Sequence, residues 1–127
     1  MTQNHRATAL IVLTLVAAAL IMASAYMALA GAPSAAGLTE DNTYAQRIIY
    51  FHVPSAWLSM LAFGVTMVAS IGYLATSKRG WDSLAMSSAE LGLVFTLAAT
   101  ASGSIWAKPA WNVWWTWDPR LTTYTIM

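Results

Sequence analysis

The residues best equipped for chemistry in this sequence are one histidine, His52, and a tryptophan-rich run from Trp106 to Arg120 that holds five of the chain's seven tryptophans within twelve residues. Neutral imidazole is a natural ligand for iron. There is no cysteine to compete with it, and hence no disulfide, thiolate metal site, thiol nucleophile or Cys-x-x-Cys-His attachment. Methionine is the only other candidate ligand type, and its seven copies lie mostly in apolar runs or at the termini. The alternative for His52 is a hydrogen-bonded interfacial residue on an apolar face, which is the commoner role of a lone histidine.

Trp111, Trp114 and Trp115 are related by i+3 and i+4, so a helix there would gather them into one indole surface that Trp117 extends. Arg120 and Lys108 flank this surface, and each can pair with carboxylates, arginine in bidentate fashion. Asp118 is placed to order the segment by accepting indole or guanidinium hydrogen bonds. A planar apolar body, carboxylates at one edge and a metal that takes an imidazole together describe haem. The same surface admits a quinone or an aromatic lipid head group. Aromatic anchoring at a membrane interface accounts for Trp81 and largely for Trp57 and Trp106, but four tryptophans from 111 to 117 exceed what anchoring needs.

The elements that must position these residues follow from composition. The chain is 58% hydrophobic and 9% charged, against about 45–50% and about 25% in soluble domains. A net charge of +1 leaves no basic field for nucleic acid. Uncharged runs cover 8–29, 55–76 and 91–107. At about 1.5 Å per residue the first two reach about 33 Å, and the third is at the short end of the spanning range. The first run is too long for a cleaved signal, whose apolar region is about 7–15 residues. The expected fold is therefore all-α: one polytopic membrane domain over 1–127, with three transmembrane helices, an external loop 30–54 and an external tryptophan-rich segment 108–122.

Arg6, Lys78 and Arg79 are concentrated in the short segments 1–7 and 77–84, whereas Arg47, Lys108 and Arg120 are spread through 30–54 and 108–127. Positive-charge density thus puts the amino terminus in the cytoplasm. In the external loop, Gly31 to Gly37 reads as a flexible turn. Thr39-Glu40-Asp41-Asn42 offers helix-capping residues, and Ala45, Ile48, Ile49 and His52 share the face of a short interfacial helix. Pro54 suits the first turn of the second span. Gly92, Thr96, Ala99 and Gly103 align small residues on one face of the third span, where another helix should pack.

Two motifs carry a family resemblance. The run Trp111 to Thr122 (WNVWWTWDPRLT) resembles the "WWD" signature of the haem-handling membrane proteins of cytochrome c maturation. Tyr50 to Trp57 (YFHVPSAW) is similar to the histidine segment before the second span of one branch, the haem exporter protein C family. The resemblance covers essentially the whole chain and departs at Asn112, where glycine is common. It implies an inner-membrane protein that binds haem b non-covalently and transiently at the periplasmic face, loads it onto a periplasmic haem chaperone and works beside ABC-type transporter subunits, with lipid around its spans and no nucleic-acid partner. Carried over by position, His52 matches an axial haem ligand, and Trp111, Trp114, Trp115, Trp117, Asp118 and Arg120 match the signature that holds haem.

Family members are about twice as long, with six spans and a second external histidine, so the chain resembles an amino-terminal half. Its last residues, 123–127, fall where a fourth span is expected to begin. His5, expected in the cytoplasm, cannot replace the second ligand. With no Ser/His/Asp set, phosphate loop or carboxylate pair, no enzyme is expected. The alternative is a non-haem structural or assembly subunit of a membrane respiratory or transporter complex. A quinone-binding subunit would need polar groups within the bilayer, and the spans contain almost none.

Overall fold

A computed structural model describes the backbone of residues 2–33 and 40–126, and the side chains of 4–33 and 45–126. The expected caps at Thr39 to Asn42 and most of the turn to Gly37 lie outside the described residues. The described chain is helical, without strands, and divides into two compact units, 1–34 and 35–127. Three of its helical segments are long and apolar enough to cross a membrane: Asn4–Gly31, Ala45–Thr76 and Arg79–Trp111.

In the first unit α1 (Thr2–Tyr26) runs into a π-helical turn, Met27–Gly31, that ends at the extended Ala32. The hydroxyls of Thr8 and Thr14 donate to the carbonyls of Asn4 and Leu10, so they demand no partner from the surroundings.

The second unit is an antiparallel hairpin of α2 (Glu40–Thr76) and α3 (Arg79–Trp111), followed by a short α4 (Pro119–Ile126). The turn is two residues long. Ser77 takes a left-handed conformation with φ 52°, its N–H closes on the Tyr73 carbonyl at 2.7 Å, and Lys78 is extended. Small residues then let the helices approach. A Cβ on Gly92 would stand 3.0 Å from the Phe63 ring, and one on Gly72 would stand 2.7 Å from the Trp81 indole. Gly92, Thr96 and Ala99 are buried, as their shared face predicts. Thr66 and Ser88 exchange a hydroxyl hydrogen bond of 2.8 Å across the interface.

Both helices outrun the charge-free segments, because absence of charge reports the hydrocarbon crossing and not the length of the helix. The separate interfacial helix and the start at Pro54 are corrected: residues 45–52 are turns of α2, which passes through Pro54. A proline removes one N–H, and the turns on either side, bonded normally and packed on α3, carry the helix across it. Ser55 donates to the Phe51 carbonyl within that turn at 2.7 Å. Likewise α3 starts at Arg79, twelve residues before the expected third span, and includes Pro109.

Candidate functional site

The hairpin brings His52 of α2 against the last turns of α3. Its Nδ1 lies 2.9 Å from the Ala99 carbonyl oxygen and 3.3 Å from the Ser102 hydroxyl. A carbonyl only accepts, so Nδ1 carries the hydrogen, and in the neutral ring the lone pair is left on Nε2. Nε2 has no hydrogen-bond partner among the described residues. Gly103 makes this placement possible: a Cβ there would stand 2.8 Å from Cε1 and 3.2 Å from Nδ1 of His52. The imidazole is thus fixed in tautomer and orientation by a backbone carbonyl, the arrangement that metal-binding histidines use.

His52 lines an open cavity of about 170 Å³ with Ala56 of α2, Ala99, Thr100 and Gly103 of α3, Trp115, and Arg120, Leu121, Tyr124 and Thr125 from α4. The walls are mostly apolar, and the Arg120 side chain is 84% exposed. No group of three or more His, Asp or Glu among the described residues forms a metal site. A metal held here would have to bring most of its own ligands, as haem iron does.

The tryptophans do not form the single helical surface expected of them. α3 ends at Trp111, and Asn112 is left-handed with φ 58° and ψ 17°. The Lys108 ammonium fixes this end by donating to the Asn112 carbonyl and Oδ1, each at 3.1 Å. Residues 112–118 then run without helix, which breaks the i+3 and i+4 relation of Trp111 to Trp114 and Trp115. Two edge-to-face pairs result, Trp106 with Trp111 at 5.1 Å and Trp115 with Trp117 at 5.9 Å between ring centroids. Trp115 faces the cavity. Trp111, Trp114 and Trp117 do not line it and are exposed, Trp117 to 82%. The Trp114 carbonyl accepts the Ser104 hydroxyl, which ties the segment back to α3.

Asp118 is the N-cap of α4. Its Oδ1 accepts the amides of Arg120 at 2.8 Å and Leu121 at 3.1 Å, and Oδ2 accepts the Thr116 hydroxyl at 3.1 Å. The Leu121 amide, then the Thr116 hydroxyl, the Arg120 amide and the Arg120 charge, hold its carboxyl below the usual carboxylate range against a partial desolvation. Arg120 Nε is 3.8 Å from Oδ1, and among the described residues no indole N–H bonds to this carboxylate. Of the seven expected site residues, the structure gathers His52, Trp115 and Arg120 into one cavity and makes Asp118 the N-cap of the helix that carries Arg120.

Residues 119–126 form α4, which meets the hairpin at the His52 cavity. Tyr124 and Ser59 share a hydroxyl hydrogen bond of 2.6 Å, and Ser59 is fully buried. Tyr124 and Thr125 were absent from the expected site. The signal for them is Asp118 followed by Pro119, an N-cap and first-turn pair that announces a helix.

Residues 2–127 match the family described as heme exporter protein C. Proteins of that name include one from Bradyrhizobium diazoefficiens, 42% identical over 81 residues, which are 64% of this chain and 31% of the relative. One from Rhodobacter capsulatus is 38% identical over 81 residues, 64% of this chain and 34% of the relative. One from Escherichia coli K12 is 39% identical over 88 residues, 69% of this chain and 35% of the relative. The matched segment therefore covers about a third of the length of these curated relatives. No solved structure matches it. With the match covering nearly every residue, the chain belongs to the heme exporter protein C family.

Proposed function

We propose that this chain binds haem b non-covalently and transiently at the periplasmic face of the inner membrane, and presents it to a periplasmic haem chaperone during cytochrome c maturation. In this reading ABC-type transporter subunits work beside it, lipid surrounds its apolar helices, the amino terminus is cytoplasmic, and the chain itself catalyses no bond change. Family membership supports the haem cargo. The observation that carries the reading is the His52 ring, with Nδ1 bound to the Ala99 carbonyl and Nε2 unpartnered at an apolar cavity.

The residues present suit haem. Nε2 of His52 would supply one axial ligand, Gly103 leaves room for the imidazole, Trp115 and Leu121 offer apolar contact, and the exposed Arg120 guanidinium suits a propionate. The cavity does not enclose a macrocycle, so the ring would lie over its mouth, and the exposed Trp111, Trp114 and Trp117 stand on the same segment. The second axial ligand would come from outside these residues.

The test is a visible spectrum of the protein purified from haem-replete membranes, with His52→Ala beside it. The expected result is haem absorbance that the variant loses or shifts. Full occupancy with an unchanged spectrum in His52→Ala removes the ligand role. No haem absorbance in the parent protein favours the non-haem assembly subunit.

A further inference from the structure

One more group touches the His52 imidazole: the hydroxyl of Ser102, half-buried on α3. Its oxygen is 3.3 Å from His52 Nδ1, 2.7 Å from the Ala98 carbonyl oxygen and 3.1 Å from that of Ala99. A hydroxyl has a single hydrogen to donate, and a carbonyl oxygen has two lone pairs to offer. Counting them decides which contact is which.

Ala99 lies inside α3, so the helix commits one lone pair of its carbonyl to the amide four residues on, that of Gly103. The other takes the hydrogen of His52 Nδ1 at 2.9 Å. Nothing is left there for Ser102, and its hydrogen goes to the nearer carbonyl, that of Ala98. The lone pairs of the hydroxyl are then free, and the one that faces Nδ1 is a second acceptor for the same N–H. A chain of hydrogen bonds results, from the ring to Oγ and from Oγ to the Ala98 carbonyl. Donation at its far end polarises the hydroxyl and makes it a better acceptor at the near end.

The Ala99 carbonyl by itself fixes the tautomer. What the hydroxyl adds is a further pull on the Nδ1 hydrogen, which moves electron density in the ring toward Nε2, the nitrogen left for a metal. Ferric iron carries one more positive charge than ferrous iron, so it gains more from an electron-rich imidazole, and hydrogen bonding to an axial ligand is one of the ways a protein sets a haem potential. We propose that Ser102 is a positioning residue that acts through His52: by sharing the Nδ1 hydrogen it holds the ring and biases the site toward ferric over ferrous haem. This inference rests on the haem reading of the cavity and adds to it the oxidation state that the site favours.

Two measurements on the full protein test it. In the haem-free protein labelled with nitrogen-15 histidine, the His52 signals are those that His52→Ala removes. Exchange of the Nδ1 hydrogen with water should be about threefold faster in Ser102→Ala, the lower end of what one net hydrogen bond contributes. In the haem-loaded protein the same variant should lower the ratio of ferric to ferrous affinity by about threefold, read in a redox titration as a potential raised by about 28 mV. Ser102→Thr keeps the hydroxyl and should restore both values. Ser55→Ala removes a hydroxyl three residues from His52 that bonds the Phe51 carbonyl instead of the ring, and should change neither. The proposal is overturned by unchanged exchange in Ser102→Ala, by a potential that stays or falls, by Ser102→Thr behaving as Ser102→Ala, or by equal shifts in Ser55→Ala. A parent protein that binds no haem removes the reading of the cavity and the role of Ser102 together. A parent that binds haem, with Ser102→Ala at the parental potential, removes the role of Ser102 alone.

Discussion

Adding one methyl group at Gly103 probes the site without replacing any proposed ligand. In Gly103→Ala the new Cβ would stand 2.8 Å from His52 Cε1, whereas carbon atoms in ordinary contact are about 3.5–4.0 Å apart. The ring must retreat by about 1 Å. It cannot do so in place, because Nδ1 is held 2.9 Å from the Ala99 carbonyl, so the hydrogen bond that orients the imidazole stretches or breaks. Overpacking of this kind costs about 1–3 kcal/mol, offset by about 0.5–1 kcal/mol gained when alanine replaces a helical glycine. Stability should therefore change modestly, while haem affinity should fall by about 10–100-fold, as when a metal-binding histidine loses its orienting partner.

Gly64→Ala is the control. Nothing lies within 4 Å of its added Cβ, so it should gain up to about 1 kcal/mol and bind haem as before. Haem titration followed by absorbance, paired with thermal unfolding of the haem-free protein, separates the two effects. If Gly103→Ala binds haem with parental affinity and spectrum, the argument that a fixed His52 ring faces the ligand is wrong.

Tyr124→Phe deletes the hydroxyl that meets Ser59, but Ser59 still donates to the Ala56 carbonyl at 2.9 Å. The cost should be that of one net hydrogen bond, about 0.5–1.5 kcal/mol, seen as two- to thirteenfold faster amide exchange in α4, about the factor that energy implies; unchanged exchange would show that the contact does not anchor the helix. Because the carboxyl of Asp118 is held low in the folded chain, its cap should persist above the ordinary aspartate value of about 3.9 and be lost only as pH falls through the depressed one. Protection of the Arg120 and Leu121 amides should follow that course in the parent, lose its pH dependence in Asp118→Asn and drop in Asp118→Ala, whereas a loss of protection already complete near neutral pH would contradict the assignment.

The parts of the fold that depend on one helix at a time were legible in the sequence. Uncharged runs located three spans, and the spacing of Gly92, Thr96 and Ala99 identified the face of α3 that α2 covers. Features that depend on two helices were not. The register that sets Phe63 on Gly92 and Trp81 on Gly72 arises from a two-residue turn and from ring-on-glycine contacts, which no single-helix pattern encodes. Pro54 misled because a proline's local cost is visible in sequence, whereas the packing that overrides it is not. The candidate cavity is lined by His52 and Arg120, which the sequence singled out for their chemistry, and by Trp115, singled out through its neighbours. The indole surface failed because Asn112 tolerates the left-handed backbone and ends α3. Tyr124 was missed because the residues after Arg120 were read only as the start of a span, without the cap that Asp118 gives them or the reach of Tyr124 to Ser59.

The two sides of the His52 cavity are built to move at different rates. One wall belongs to the long hairpin, whose interlocked rings and glycines resist displacement. The other is α4, tethered by a hydroxyl pair at one end and a carboxylate cap at the other. Segments held to their neighbours by so few bonds open locally at small cost, on microsecond to millisecond timescales. The residence time of an occupant can therefore be adjusted at Ser59 and Tyr124, by changing how often α4 lifts, without altering the strength of the bond to His52. Capture and release would then be separately adjustable, as the proposed haem presentation requires.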